Sequence, residues 1–216
     1  MKLRKTLVTA AAGLAISLGG GQAMAVDCNS GITTIGQWAA AGSCTQGDKI
    51  WTYTSSNLLN TVQVLFVGGG GAAPLVHAMQ IVGFDGSDAA GAWNIKYSIT
   101  VANPALFYIS DMFAGADNPG GGSNLTKNVA GDPTFNPFLL TVVNGAENAA
   151  SEKHGLTASA LTVDESFSVN ANSTLLSVSN TYLEKQVTKV PTPGTLALLG
   201  LGLVALGFSR RNRMFS

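Results

Sequence analysis

Arginine is missing from the whole of the chain between Arg4 and Arg210, and charge of either sign is scarce, with Asp, Glu, Lys and Arg making up 11% of the residues. From Val26 to Lys189 six lysines stand against all twelve carboxylates, a net charge of −6. Nucleic acid and anionic lipid are held largely by Lys and Arg, so an acidic body without arginine suits neither, and no nucleic-acid partner is expected. Histidine is limited to His77 and His154 and cysteine to Cys28 and Cys44. With no C-x-x-C pair and the histidines far from the cysteines, the zinc-site spacings are absent. G-x-S-x-G and H-E-x-x-H are also absent, and Gly68 to Gly71 is not followed by the Gly-Lys-Ser/Thr of a phosphate loop, so it reads as a turn.

The remaining candidates for chemistry are weak. Asp164 and Glu165 would point to opposite faces of an extended chain, which does not suit paired acid/base work. Asp85 with Asp88, and Asp117 with Asn118 beside Gly120 to Gly122, offer oxygens for Ca²⁺ but match no Ca²⁺-loop spacing and read as polar turns. His77 falls on a predicted strand and His154 in a predicted polar loop, both read as structural or solvated. Trp38, Trp51 and Trp93 read as core residues, with Trp51 and Tyr53 on a shared face as an alternative sugar-stacking platform. No catalytic residue, metal or cofactor is expected.

What the chain does have is two unusual ends. Lys2, Arg4 and Lys5 precede an apolar stretch from Leu7 to Leu18, then glycines and Ala23-Met24-Ala25. This reads as a signal peptide over 1–25, cleaved between Ala25 and Val26. Export places Cys28 and Cys44 in an oxidising space, where the expected state is a disulfide closing a loop of about 17 residues, worth about 3 kcal/mol in the chain-entropy description. At the other end, Val190-Pro191-Thr192-Pro193 leads into an uncharged run and then Arg210, Arg211 and Arg213. A helix over 194–209 would be a short membrane span, since the fifteen residues from Gly194 to Phe208 cover about 22 Å at 1.5 Å per residue against a core of roughly 30 Å. The arginines of the basic tail (210–216) place the C-terminus in the cytoplasm and the body on the far side. Pro191 and Pro193 make the joint extended.

Between the ends, 26–189 has the size of one domain. Its apolar residues recur with period two, most clearly at Trp93, Ile95, Tyr97, Ile99 and Val101. Further strands are predicted at Ile50–Ser55, Thr61–Val67, Leu75–Phe84, Leu106–Met112, Phe138–Val143, Leu156–Val163, Ser166–Val169 and Leu175–Val187, with Gly115 to Pro137 read as a long polar connection. One short helix is expected at Ile35–Ala41. The fold class is all-β: an antiparallel β-sandwich or jelly-roll-like ectodomain, with an N-terminal signal peptide and a single C-terminal transmembrane helix.

The tail from Val190 to Ser216 resembles the PEP-CTERM sorting signal of Gram-negative bacteria: a Pro-Glu-Pro motif, a short transmembrane segment and an Arg-rich end, cut by the membrane protease exosortase. Thr192 stands where that family usually has Glu. Gly42-Ser43-Cys44-Thr45-Gln46-Gly47-Asp48-Lys49 is similar to the opening of many PEP-CTERM ectodomains. The resemblance implies export through the secretion machinery, membrane anchoring before processing, and release by exosortase to the cell surface or matrix. It further implies a structural role with exopolysaccharide or biofilm. A carbohydrate-binding module and a secreted hydrolase are the alternatives.

Overall fold

The computed structural model describes residues 26–68, 76–83, 91–118, 121–170 and 173–188. The predicted signal peptide with Ala25, the pair Asp85 and Asp88, most of the Gly68 to Gly71 turn, and the sorting tail from 189 onward lie outside the described residues.

The elements in chain order are β1 (Val26–Asp27), α1 (Cys28–Gly31), α2 (Ile35–Ala41), β2 (Ser43–Gln46), β3 (Lys49–Ser56), β4 (Gln63–Gly68), β5 (Val76–Val82), β6 (Gly91–Val101) and β7 (Phe107–Asp117). They continue with β8 (Ser123–Ala130), β9 (Phe138–Val143), β10 (Glu152–Ala158), β11 (Ala160–Val169) and β12 (Ser177–Gln186). A seven-stranded sheet has the order β1-β2-β3-β6-β11-β8-β9 and a five-stranded sheet the order β10-β7-β12-β5-β4. Neighbouring strands pair antiparallel, except that β1 pairs parallel with β2.

Alternation sets which side chains meet between the sheets. On β6, Ile95, Tyr97, Ile99 and Val101 are buried; on β11, Leu161, Val163, Phe167 and Val169 are. The two sheets face one another through an aromatic cluster. Trp51 packs edge-on to Phe66 and Tyr182, Trp38 packs edge-on to Phe66, and the Tyr97 and Tyr182 hydroxyls meet at 2.9 Å across the interface. Burial pushes both phenols well above their ordinary pKa.

The helix expected at Ile35–Ala41 forms over those residues. Thr34 caps it: its Oγ1 accepts from the Gln37 N–H, while Gln37 Oε1 accepts from the Thr34 N–H. At its other end Gly42 takes φ +72°, a backbone setting that favours glycine, and donates to the Trp38 carbonyl. This seats Trp38 in the core. Cys28 and Cys44 are disulfide-bonded and fully buried, tying the N-terminal segment to β2.

Three expectations need correction. The connection read over Gly115 to Pro137 contains the end of β7 and all of β8. In β8 the inward positions are Ser123, Leu125, Lys127 and Val129, so two of four are polar and the alternation is masked. His154 lies on β10, opposite Asp111 of β7, rather than in a loop. The stretches Leu156–Val163 and Ser166–Val169 divide instead at Ser159, and β11 runs unbroken through Asp164 and Glu165 because Glu165 points inward.

Candidate functional site

The outer face of the seven-stranded sheet carries the residues that alternate with the core. Asn94, Ser166 and Thr126 form one row across β6, β11 and β8, and Ala92, Ser168 and Asn124 form the next. With Asn57 these line an open depression of about 310 Å³. Asn57 is fixed there by accepting from the Asn94 N–H at 2.7 Å and donating to the Ala92 carbonyl. Trp93 borders the depression, half-buried and stacked on Phe167 at 5.8 Å. Its ring lies over Gly91, where any Cβ would sit 2.5 Å from it, so Gly91 is needed for that ring position. Small hydroxyls and amides on a rigid sheet offer hydrogen-bond donors and acceptors to a polar chain lying across them.

The inner face holds two polar clusters in a dry setting. In the first, Lys49, fully buried, contacts Glu184 and lies 2.7 Å from Asp48. His77, also fully buried on β5, points Nε2 at the same carboxylates, 3.4 Å from Asp48 and 3.5 Å from Glu184. One ligand atom from each of Asp48, His77 and Glu184 lies within 4.8 Å of the others, the sole such gathering of three among the described residues. The spacing could hold a small cation, but the Lys49 ammonium already supplies positive charge there. In the second cluster, Lys127 of β8 faces Glu165 of β11 and reaches across to Asn180 of β12. Burial brings the Lys127 pKa down to about 8 against the attraction of Glu165. Burial likewise raises Glu165, opposed by Lys127 and Asn180.

His154 is exposed and has both ring nitrogens engaged, Nδ1 with Asp111 and Nε2 with Glu152, each at 2.9 Å. These hydrogen bonds raise its pKa. Neither nitrogen is left over to take a proton from a nucleophile, so the grouping works as an ion-paired surface staple between β7 and β10. Asp111 is lowered: burial works to raise it and is overcome by hydrogen bonds from Ser110 and His154 and by the charge of Lys185.

The structure therefore brings together residues that sequence spacing kept apart. His77 meets Glu184 because β5 and β12 are neighbours, and it meets Asp48 across the interface; Lys127 likewise meets Asn180 of the facing sheet. The platform of Trp51 and Tyr53 does not exist, because Trp51 is fully buried and Tyr53 packs against Trp38 at 5.6 Å. Asp117 ends β7 and Asn118 lies in the following turn, with no third carboxylate gathered beside them among the described residues. Asp164 and Glu165 diverge as expected, one half-exposed and one fully buried.

The fold is a two-sheet β-sandwich with a closed interior and a polar depression on the outer face of its seven-stranded sheet. Residues 189–211 match the PEP-CTERM protein-sorting motif, so the chain carries that motif at its C-terminal end. The motif marks an exported protein anchored in the membrane before exosortase processing. A search of curated proteins found no match. Among solved structures, one similar chain is TmCBM61 in complex with β-1,4-galactotriose, at 11% identity and TM-score 0.32, covering 63% of this chain and 88% of that one. A likeness this loose carries no argument about ligands. No described helix is long and apolar enough to cross a membrane.

Proposed function

We propose that this protein is a non-enzymatic structural component of the cell surface or extracellular matrix of a Gram-negative bacterium, associated with exopolysaccharide and delivered by exosortase. The observation that carries the reading is the sorting motif at 189–211, placed directly after the sandwich. In this reading residues 1–25 are removed at Ala25–Val26, 26–189 is the delivered domain, and 190–216 is the sorting signal. Val190, Pro191, Thr192 and Pro193 present an extended joint to the protease, the segment 194–209 holds the chain in the membrane, and Arg210, Arg211 and Arg213 orient it. The disulfide fits an oxidising destination.

A second reading, a surface protein that binds a glycan, is favoured by one feature, the Asn, Ser and Thr rows of the outer-face depression. The two readings are compatible, since a matrix protein that grips polysaccharide needs such a face. Replacing Pro191-Thr192-Pro193 with flexible residues tests the sorting role. Release of mature protein should fall sharply while a full-length, membrane-bound form accumulates; unchanged release would contradict it. Thr192→Glu should preserve or improve cutting.

A further inference from the structure

Lys127, Glu165 and Asn180 meet between the two sheets, and nothing in the sorting role employs them. We propose that Lys127 and Asn180 become joined by an intramolecular isopeptide bond, with loss of ammonia, and that Glu165 transfers the protons.

The geometry supplies each part of that chemistry. Lys127 and Glu165 are directly opposite one another on paired strands, β8 and β11, and Asn180 comes from β12 of the facing sheet. All three are fully buried. Lys127 Nζ donates to the Ser179 carbonyl at 2.8 Å, touches Asn180 Oδ1, and lies 3.7 Å from Glu165 Oε1. The amine is thus held against the amide it would attack.

The cluster is also left unsatisfied as an ordinary polar network. Neither oxygen of Glu165 has a hydrogen bond of normal geometry, and neither does Asn180 Nδ2. Lys127 and Asn180 still lower the Glu165 carboxyl against burial, but buried polar atoms are normally well paired, and three without a well-formed hydrogen bond in one contact set are costly. Covalent closure removes this cost. Nδ2 departs with the ammonia, and the new amide leaves one N–H facing the Glu165 carboxyl.

The protons balance without any outside reagent. Burial favours the neutral forms of both partners, so the Lys127 ammonium gives a proton to Glu165 and becomes a free amine. The Nζ lone pair adds to Asn180 Cγ, and the Glu165 acid stabilises the oxygen. Glu165 then takes a proton from Nζ and delivers one to Nδ2, the Cγ–Nδ2 bond breaks, and ammonia leaves. The product is a Cγ–Nζ amide tying the two sheets together, with Glu165 protonated.

The test is mass spectrometry of the exported protein after denaturation and reduction, beside the Lys127→Arg and Glu165→Gln variants. Wild type should be lighter than its sequence by one ammonia. Trypsin cannot cut at an acylated lysine, so residues 97–153 should remain uncut at Lys127 and stay linked to residues 154–185. Mapping the link to Lys127 and Asn180 separates it from succinimide formation at Asn144–Gly145, which loses the same mass. Both variants should show unlinked peptides. If either variant fails to fold, the wild-type map decides alone. Free Lys127 and Asn180 peptides from wild type would overturn the bond, and a link that persists in Glu165→Gln would overturn the role given to Glu165.

Discussion

On the outer face of the seven-stranded sheet Asp164 pairs with Lys96 at 2.6 Å, and both side chains are about half exposed, at 41% and 47%. One residue further along the same strand, Glu165 faces Lys127 on the inner side, and neither is accessible at all. Each is a lysine facing a carboxylate, and the settings are opposite. Exposed pairs are worth about 0.2–1 kcal/mol because water screens them and ordering long side chains offsets the gain. Buried pairs forfeit several kcal/mol of solvation per ion, and their worth depends on complete hydrogen bonding. The inner pair here lacks that bonding, so its placement is poorly explained by stability alone. Its close contact with Asn180 gives it chemistry to do.

The sharpest way to break the comparison is to remove one carboxylate from each face. Glu165→Ala leaves Lys127 stranded in the interior and should lower unfolding free energy by about 3–5 kcal/mol in guanidinium titration. Removing the disulfide with Cys28→Ser and Cys44→Ser should cost about 3 kcal/mol by the same measurement, because a closed loop is released in the unfolded chain. Asp164→Ala should cost no more than about 1 kcal/mol, and less in high salt. If Asp164→Ala proved as damaging as Glu165→Ala, the distinction between the faces would collapse.

The smallest effect concerns the surface staple of Asp111, His154 and Glu152. His154 has a raised pKa, so its contribution is complete below its unfolded value of about 6.5 and is lost as pH rises through the higher folded value. Asp111 has a lowered pKa, so its contribution is present above its unfolded value of about 3.9 and is lost on acidification through the folded value. Both operate fully between about pH 4 and 6.5. The Tm difference between wild type and His154→Ala should therefore be largest in that window and shrink toward alkaline pH. A constant difference would show that His154 contributes by packing on Phe113 instead.

Much of the sandwich was legible because core strands such as β6 alternate cleanly, because β9 is a short apolar run of strand-forming residues, and because Thr34, Gln37 and Gly42 mark both ends of α2. β8 was not, since Ser123 and Lys127 occupy inward positions that the pattern assigns to apolar residues. The break read before Ser166 has the same cause in Glu165. Two of the residues that hid these strands, Lys127 and Glu165, are thus the ones that make the inner cluster. A lysine counted only as surface charge gives no sign of burial, and Lys49 and Lys127 are both enclosed. Strand order was equally invisible: His77 meets Glu184, and Lys127 meets Asn180, only once β5, β12, β11 and β8 are placed in their sheets. The sorting tail was legible because its signal is linear, with prolines, an apolar run and arginines in order.

The delivery route bears most weight, and one measurement addresses it directly: immunoblotting of cell-bound and released fractions from the host with and without its exosortase. Mature protein lacking the tail should be released only when the protease is present, with the larger anchored form accumulating in its absence. Equal release of the same species from both backgrounds would contradict the account.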